Sequence, residues 1–191
     1  MKRSLAKLAV FLLIASPLAA LAHTGHGGGF SDGFVHPFSG IDHLLLILTV
    51  GVWSVVHVAG RAWRAPTGFV VCLAIGCMLG QQGWALPQIE LVLAASVIVV
   101  GLMLAGPRKL SVVASPALFG GFALVHGIAH GSELAAGAGV VSGIVLGSAV
   151  LLAAGMGLAH ALFRNRPRLV RRSGQLVALL GGGLAFATIF A

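Results

Sequence analysis

The chain has 191 residues, 58% of them hydrophobic and 8% charged, with a mean hydropathy of +1.04. This excludes an ordinary soluble domain and places the chain in the membrane class. The net charge of +8 does not mark a nucleic-acid binder, because the basic residues sit in short gaps between apolar runs.

Residues 1–22 read as a cleavable secretory signal peptide. Lys2, Arg3 and Lys7 form its positive start, Leu8 to Ile14 its apolar stretch, and Ala20-Leu21-Ala22 a small-x-small cleavage site. Residues 23–37 form a His/Gly-rich exported segment. His23 and His26 lie in it, as a mobile collector of metal ions or as incidental polar residues of a solvated tail, and Asp32 suits either role. Residues 38–191 read as a six-helix membrane domain. Its apolar runs are roughly 38–58, 66–85, 89–106, 112–132, 137–163 and 174–191. Each is long enough, or nearly so, to cross about 30 Å of hydrocarbon. Helices are the spanning form that leaves no backbone group unpaired. The expected fold class is therefore an all-α integral membrane protein with six transmembrane helices after the signal peptide.

Basic residues set the orientation. Arg61 and Arg64 follow the first run, Arg108 and Lys109 the third, and Arg164, Arg166, Arg168, Arg171 and Arg172 the fifth. The other two gaps contain none, which predicts both termini outside the cell membrane. Gly76-xxx-Gly80 and Gly139-xxx-Gly143-xxx-Gly147 are patterns that let helices approach closely. Gly181-Gly182-Gly183 reads as a flexible point or another close crossing. Cys72 and Cys77 read as small apolar packers, and Met78, Met103 and Met156 as core fillers.

The residues that carry chemistry fall in two clusters. His36, Asp42 and His43 open the first run, and His126, His130 and Glu133 close the fourth. The charge pattern uses none of these residues, yet it places both clusters at the outer end. His126 and His130 are i and i+4, and Glu133 continues the same stripe. His36 and His43 are two turns apart on a helix beginning near Pro37. Asp42 reads as a direct ligand or as an acceptor that orients an imidazole. Imidazole with carboxylate suits a borderline divalent transition metal, and such groups in membrane segments are costly to keep without a purpose. Weaker candidates are His57 and His160 near the inner ends of the first and fifth runs, as an exit station or as interfacial residues. Glu90, at the start of the third run, is a weak candidate for ion attraction.

His36-Pro37-Phe38-Ser39-Gly40-Ile41-Asp42-His43 resembles the HPxxGxDH signature of the HupE/UreJ family of nickel/cobalt permeases. Phe122-Ala123-Leu124-Val125-His126-Gly127-Ile128-Ala129-His130-Gly131-Ser132-Glu133 resembles that family's FHGxAHGxE motif, with Val125 in place of Phe. The resemblance implies import of Ni²⁺, sometimes Co²⁺, across a bacterial inner membrane for hydrogenase or urease maturation. In that case the metal is cargo rather than a prosthetic group, the partners are the ion and the lipid bilayer, and the chain is not an enzyme. No GxxxxGK[ST] sequence for ATP is present. Two other readings remain open. One is a membrane-embedded zinc hydrolase built on His43, His126 and His130 with Glu133 or Asp42. The other is a metal sensor that does not transport.

Overall fold

The structure is a computed structural model, and it describes residues 29–58, 60–106 and 114–190. The expected signal peptide, His23, His26, Arg108 and Lys109 lie outside the described residues. Those described form helices and short connections, with no strand among them. In chain order the helices are α1 (Phe30–Ser39), α2 (Ile41–His57), α3 (Arg64–Gln81), α4 (Ile89–Ala105), α5 (Ala114–Glu133), α6 (Ala138–Leu158) and α7 (Pro167–Phe190). A π-turn, Ala159–Phe163, extends α6.

The first apolar run is where the structure departs most from the sequence reading. It is not one helix from Pro37. Helix α1 already starts at Phe30, with Asp32 Oδ2 accepting from the Gly29 backbone N–H (3.3 Å), so Asp32 serves the helix start. Pro37 lies inside α1, and the chain then turns by 84° at Gly40, whose backbone is extended. His36 and His43 are therefore not two turns of one helix. Elsewhere the helices follow the apolar runs, except that α7 begins at Pro167 and takes in Arg168, Arg171 and Arg172. Hydropathy sees only the apolar stretch, whereas proline at a first helical position lets the helix start earlier.

Helices α3, α6 with its π-turn, and α7 are long and apolar enough to cross a membrane, with 18, 26 and 24 residues. The bent α1–α2 pair makes a fourth candidate span. Helix α4, at 17 residues, reaches about 26 Å. Helix α5 has 20 residues, but its glycines, imidazoles and glutamate lower its apolarity.

Helix α2 is the central element, touching α1, α3, α4, α6 and α7. Its residues Leu46, Ile47, Val50 and Trp53 are buried. Lipid tails are as apolar as leucine, so association has to come from close packing rather than from hydrophobic burial. The closest packing joins α3 to α5. A Cβ at Gly76 would collide with the Leu124 carbonyl oxygen, and one at Gly127 with that of Leu73. Helix α6 meets α1 in the same way, with Gly143 against Phe30 and Gly147 against Phe34. Both glycine patterns thus act as close crossings. In the triplet of α7, Gly181 packs on Val97 and Ile98, while nothing lies near Gly182 and Gly183. Of the methionines, Met103 packs against the core. Met78 is instead exposed on the outer face of α3, a correction that follows from its place opposite the stripe bearing Gly76 and Gly80. Both cysteines are free.

Two aromatic rings fill part of the bundle interior. Trp53 of α2 and Phe119 of α5 are fully buried and meet edge to face with centroids 4.9 Å apart. His57 stacks on the other side of Trp53 at 5.4 Å.

Candidate metal site

The break at Gly40 positions the site. It turns α1 and α2 so that the end of one and the start of the other face the last turns of α5. Space at Gly40 is tight: a Cβ would sit 2.6 Å from His43 Nδ1 and 2.8 Å from Asp42 Oδ1, so one of these side chains would have to shift. All six residues singled out in the two motifs come together around this turn. His36, His130 and Glu133 form one triad, and Asp42, His43 and His126 a second. Within each, one potential ligand atom per residue lies within 4.8 Å of the others.

The triads adjoin. The rings of His43 and His130 are 4.2 Å apart, those of His36 and His130 4.6 Å, and those of His43 and His126 4.9 Å. Four imidazoles thus run in a continuous chain from His36 through His130 and His43 to His126. His36 is half-buried and Glu133 exposed, whereas His130, His43 and His126 beyond them are all buried.

Hydrogen bonds set the chemistry of the ring nitrogens. His126 Nδ1 lies 3.0 Å from the Phe122 carbonyl oxygen. A carbonyl can only accept, so Nδ1 carries the proton and Nε2 of the neutral ring keeps its lone pair. His43 Nδ1 lies 2.7 Å from Asp42 Oδ1. An ionised Asp42 accepts from it in the same way, which again leaves Nε2 as the free donor of electrons. Asp42 is thus placed to orient the His43 ring, as carboxylates commonly do behind metal-binding imidazoles, and it also stands among the potential ligands of the second triad. His36 Nε2 pairs with Glu133 Oε2 at 3.2 Å.

Four buried ring nitrogens in the cluster have no hydrogen-bond partner: Nε2 of His43, Nε2 of His126 and both nitrogens of His130. Leaving a buried polar atom unmade costs about 1–3 kcal/mol. Several such atoms in one place, three of them with lone pairs fixed or available, fit a cation that accepts electron pairs. Helix ends add to this. His36 lies in the last turn of α1, and His130 in that of α5, where the negative ends of the helix dipoles favour a cation. The positive start of α2 also faces the cluster, and Asp42 in its first turn offsets it.

The weaker candidates stand apart. His57 lies 14 residues along α2 from His43, about 21 Å away at 1.5 Å per residue. His160 is exposed on the π-turn. Neither joins a group of three potential ligands among the described residues. Glu90, by contrast, is exposed at the start of α4 on the cluster's side of the bundle, within electrostatic reach of Glu133, Asp42 and His43. Sequence reasoning missed two positioning features. One is the tight space at Gly40, signalled by a Ser-Gly pair interrupting an apolar run. The other is Gln81, whose side-chain amide donates to the Gly137 carbonyl (3.5 Å) and accepts from the Gly137 N–H (3.3 Å). It ties the end of α3 to the start of α6, and nothing in its sequence context announces it.

Fold and cluster together define an all-helical membrane protein with a partly buried imidazole–carboxylate site. The chain belongs to the HupE/UreJ family: residues 10–184 match the family described as HupE / UreJ protein. It is also 37% identical to Protein HupE of Rhizobium leguminosarum bv. viciae over 176 residues, covering 90% of this chain and 92% of that one. No solved structure matches.

Proposed function

We infer that this protein imports Ni²⁺, with Co²⁺ as a second cargo, through the His/Asp/Glu cluster. The observation that carries the reading is the convergence of His36, Asp42, His43, His126, His130 and Glu133 into two adjoining triads. Family membership supports it, and the reading carries with it a role in hydrogenase or urease maturation. The proposed frame is six spans in a bacterial inner membrane after signal cleavage, with both termini outside and the cluster at the outer face. The ion meets half-buried His36 and exposed Glu133 first and exchanges hydration water for these ligands. It then passes through His130 to the buried pair His43 and His126, one ligand at a time. An inside-negative potential favours entry of two charges by roughly 4.6 kcal/mol per 100 mV.

The test is whole-cell accumulation of several metals at trace concentration, comparing wild type with His126→Ala at equal membrane expression. Selective nickel or cobalt gain in wild type, lost in the variant, is expected. Protons compete for the same lone pairs, so wild-type uptake falls as the medium is acidified. Equal accumulation of every metal by both proteins would sink the reading.

A further inference from the structure

The end of the bundle remote from the imidazole cluster carries positive charge with no carboxylate among the described residues to balance it. Five arginines, Arg164, Arg166, Arg168, Arg171 and Arg172, fall within nine residues. The whole chain has four acids, Asp32, Asp42, Glu90 and Glu133. These lie on α1, at the start of α2, at the start of α4 and at the end of α5, all at the end of the bundle that holds the cluster. Both ion pairs among the described residues are made there as well, and neither uses an arginine.

Where α2 and α4 end and α7 begins, a cavity of about 780 Å³ opens. Arg164 and Arg171 line it, and its walls are mainly apolar, among them Leu102, Phe163 and Val170. Leu102 is also exposed on the outer surface of α4, so the apolar wall continues onto the face that meets lipid. Two guanidiniums without carboxylate partners suit a phosphate, which accepts their paired N–H groups. An apolar wall running on to the lipid face suits an acyl chain. Basic pockets between membrane helices commonly hold anionic headgroups.

We propose that this cavity is a binding site for an anionic phospholipid, with its phosphate between Arg164 and Arg171 and its acyl chains along Leu102, Phe163 and Val170. The arginine cluster then does more than orient the chain. The occupied site joins the end of α4, the π-turn and the start of α7 through one shared ligand. This inference does not depend on the cargo of the imidazole site.

The test is lipid retention by the purified full chain in mild detergent, read by native mass spectrometry after exposure to phosphatidylglycerol or phosphatidylcholine. Arg164→Gln/Arg171→Gln is compared with Arg166→Gln/Arg168→Gln, which removes the same charge from outside this cavity. These side chains are exposed, and equal thermal stability checks that both variants fold. The expected result is preferential retention of phosphatidylglycerol by wild type, reduced roughly tenfold in the first variant and little changed in the second. Equal loss in both variants would overturn the pocket in favour of diffuse charge attraction. Equal retention of the two lipids by wild type would overturn anion selectivity. Displacement by millimolar inorganic phosphate would show a headgroup site that makes no use of the apolar wall, and would overturn the phospholipid assignment.

Discussion

At the scale of single residues, hydrogen bonds orient two imidazoles of the candidate site. His43 is held by Asp42, and His126 by a carbonyl of its own helix one turn back. Each bond fixes both the ring and the nitrogen that stays free. Gly40 leaves room for the first of these bonds, since a larger residue would push into both partners. A Gly40→Ala variant should therefore weaken nickel binding by about 10- to 100-fold, the usual effect of disturbing the groups behind a metal ligand. Isothermal titration of purified protein would measure it, and wild-type affinity in a folded variant would show that the Asp42–His43 pair is not needed. Residue identity and spacing on α5 were readable because one helix carries His126, His130 and Glu133 at regular intervals. How α1 and α2 reach that stripe was not, because a hydropathy profile runs through Gly40 without registering a turn.

At the scale of elements, glycine faces carry the assembly. Gly76 and Gly80 meet Gly127 and Gly131 backbone to backbone. This brings α3 against α5 on a face about a quarter turn from the imidazoles, which leaves the histidines free to face α1 and α2. A Gly127→Val variant, one residue from His126, should lose about 1–3 kcal/mol from overpacking. A lower midpoint in thermal unfolding in detergent is the expected reading, and an unchanged midpoint would mean the crossing can relax. The sequence pattern pointed to these crossings but not to the partner of each. Small-xxx-small spacing says that a face is thin, and the pairing depends on contacts between elements distant in sequence. The amide of Gln81 against Gly137 is of the same kind, a long-range bond with no local signature.

At the scale of the whole molecule, charge and chemistry are segregated. The acids and the imidazole cluster occupy one end and the arginines the other. With six spans and both termini outside, a cysteine placed at Ser142, near the start of α6, should react with an impermeant maleimide added to intact cells. One placed at Asn165 should react only after lysis. The reverse pattern would invert the proposed orientation. The alternation of basic and neutral gaps was visible in the sequence alone, since it is a property of composition along the chain. The cavity beside Arg164 was not, because three separate helix ends build it.

The Trp53–Phe119 contact has a kinetic consequence. Trp53 lies ten residues beyond His43 on α2, about 15 Å along the axis, so the two rings stand between the imidazole cluster and the far end of the bundle. On the proposed import path an ion at His126 meets these two buried rings next, and each passage has to wait for a ring to swing aside. Trp53 Nε1 has no hydrogen-bond partner, so packing alone holds the indole in place. Import should then behave as an airlock rather than a conduit: slow, saturating, and steeply slowed by cooling. Trp53→Ala in proteoliposomes should prop the airlock open, making flux rise linearly with metal concentration and depend weakly on temperature. If the variant saturates like wild type, the barrier lies elsewhere along the path.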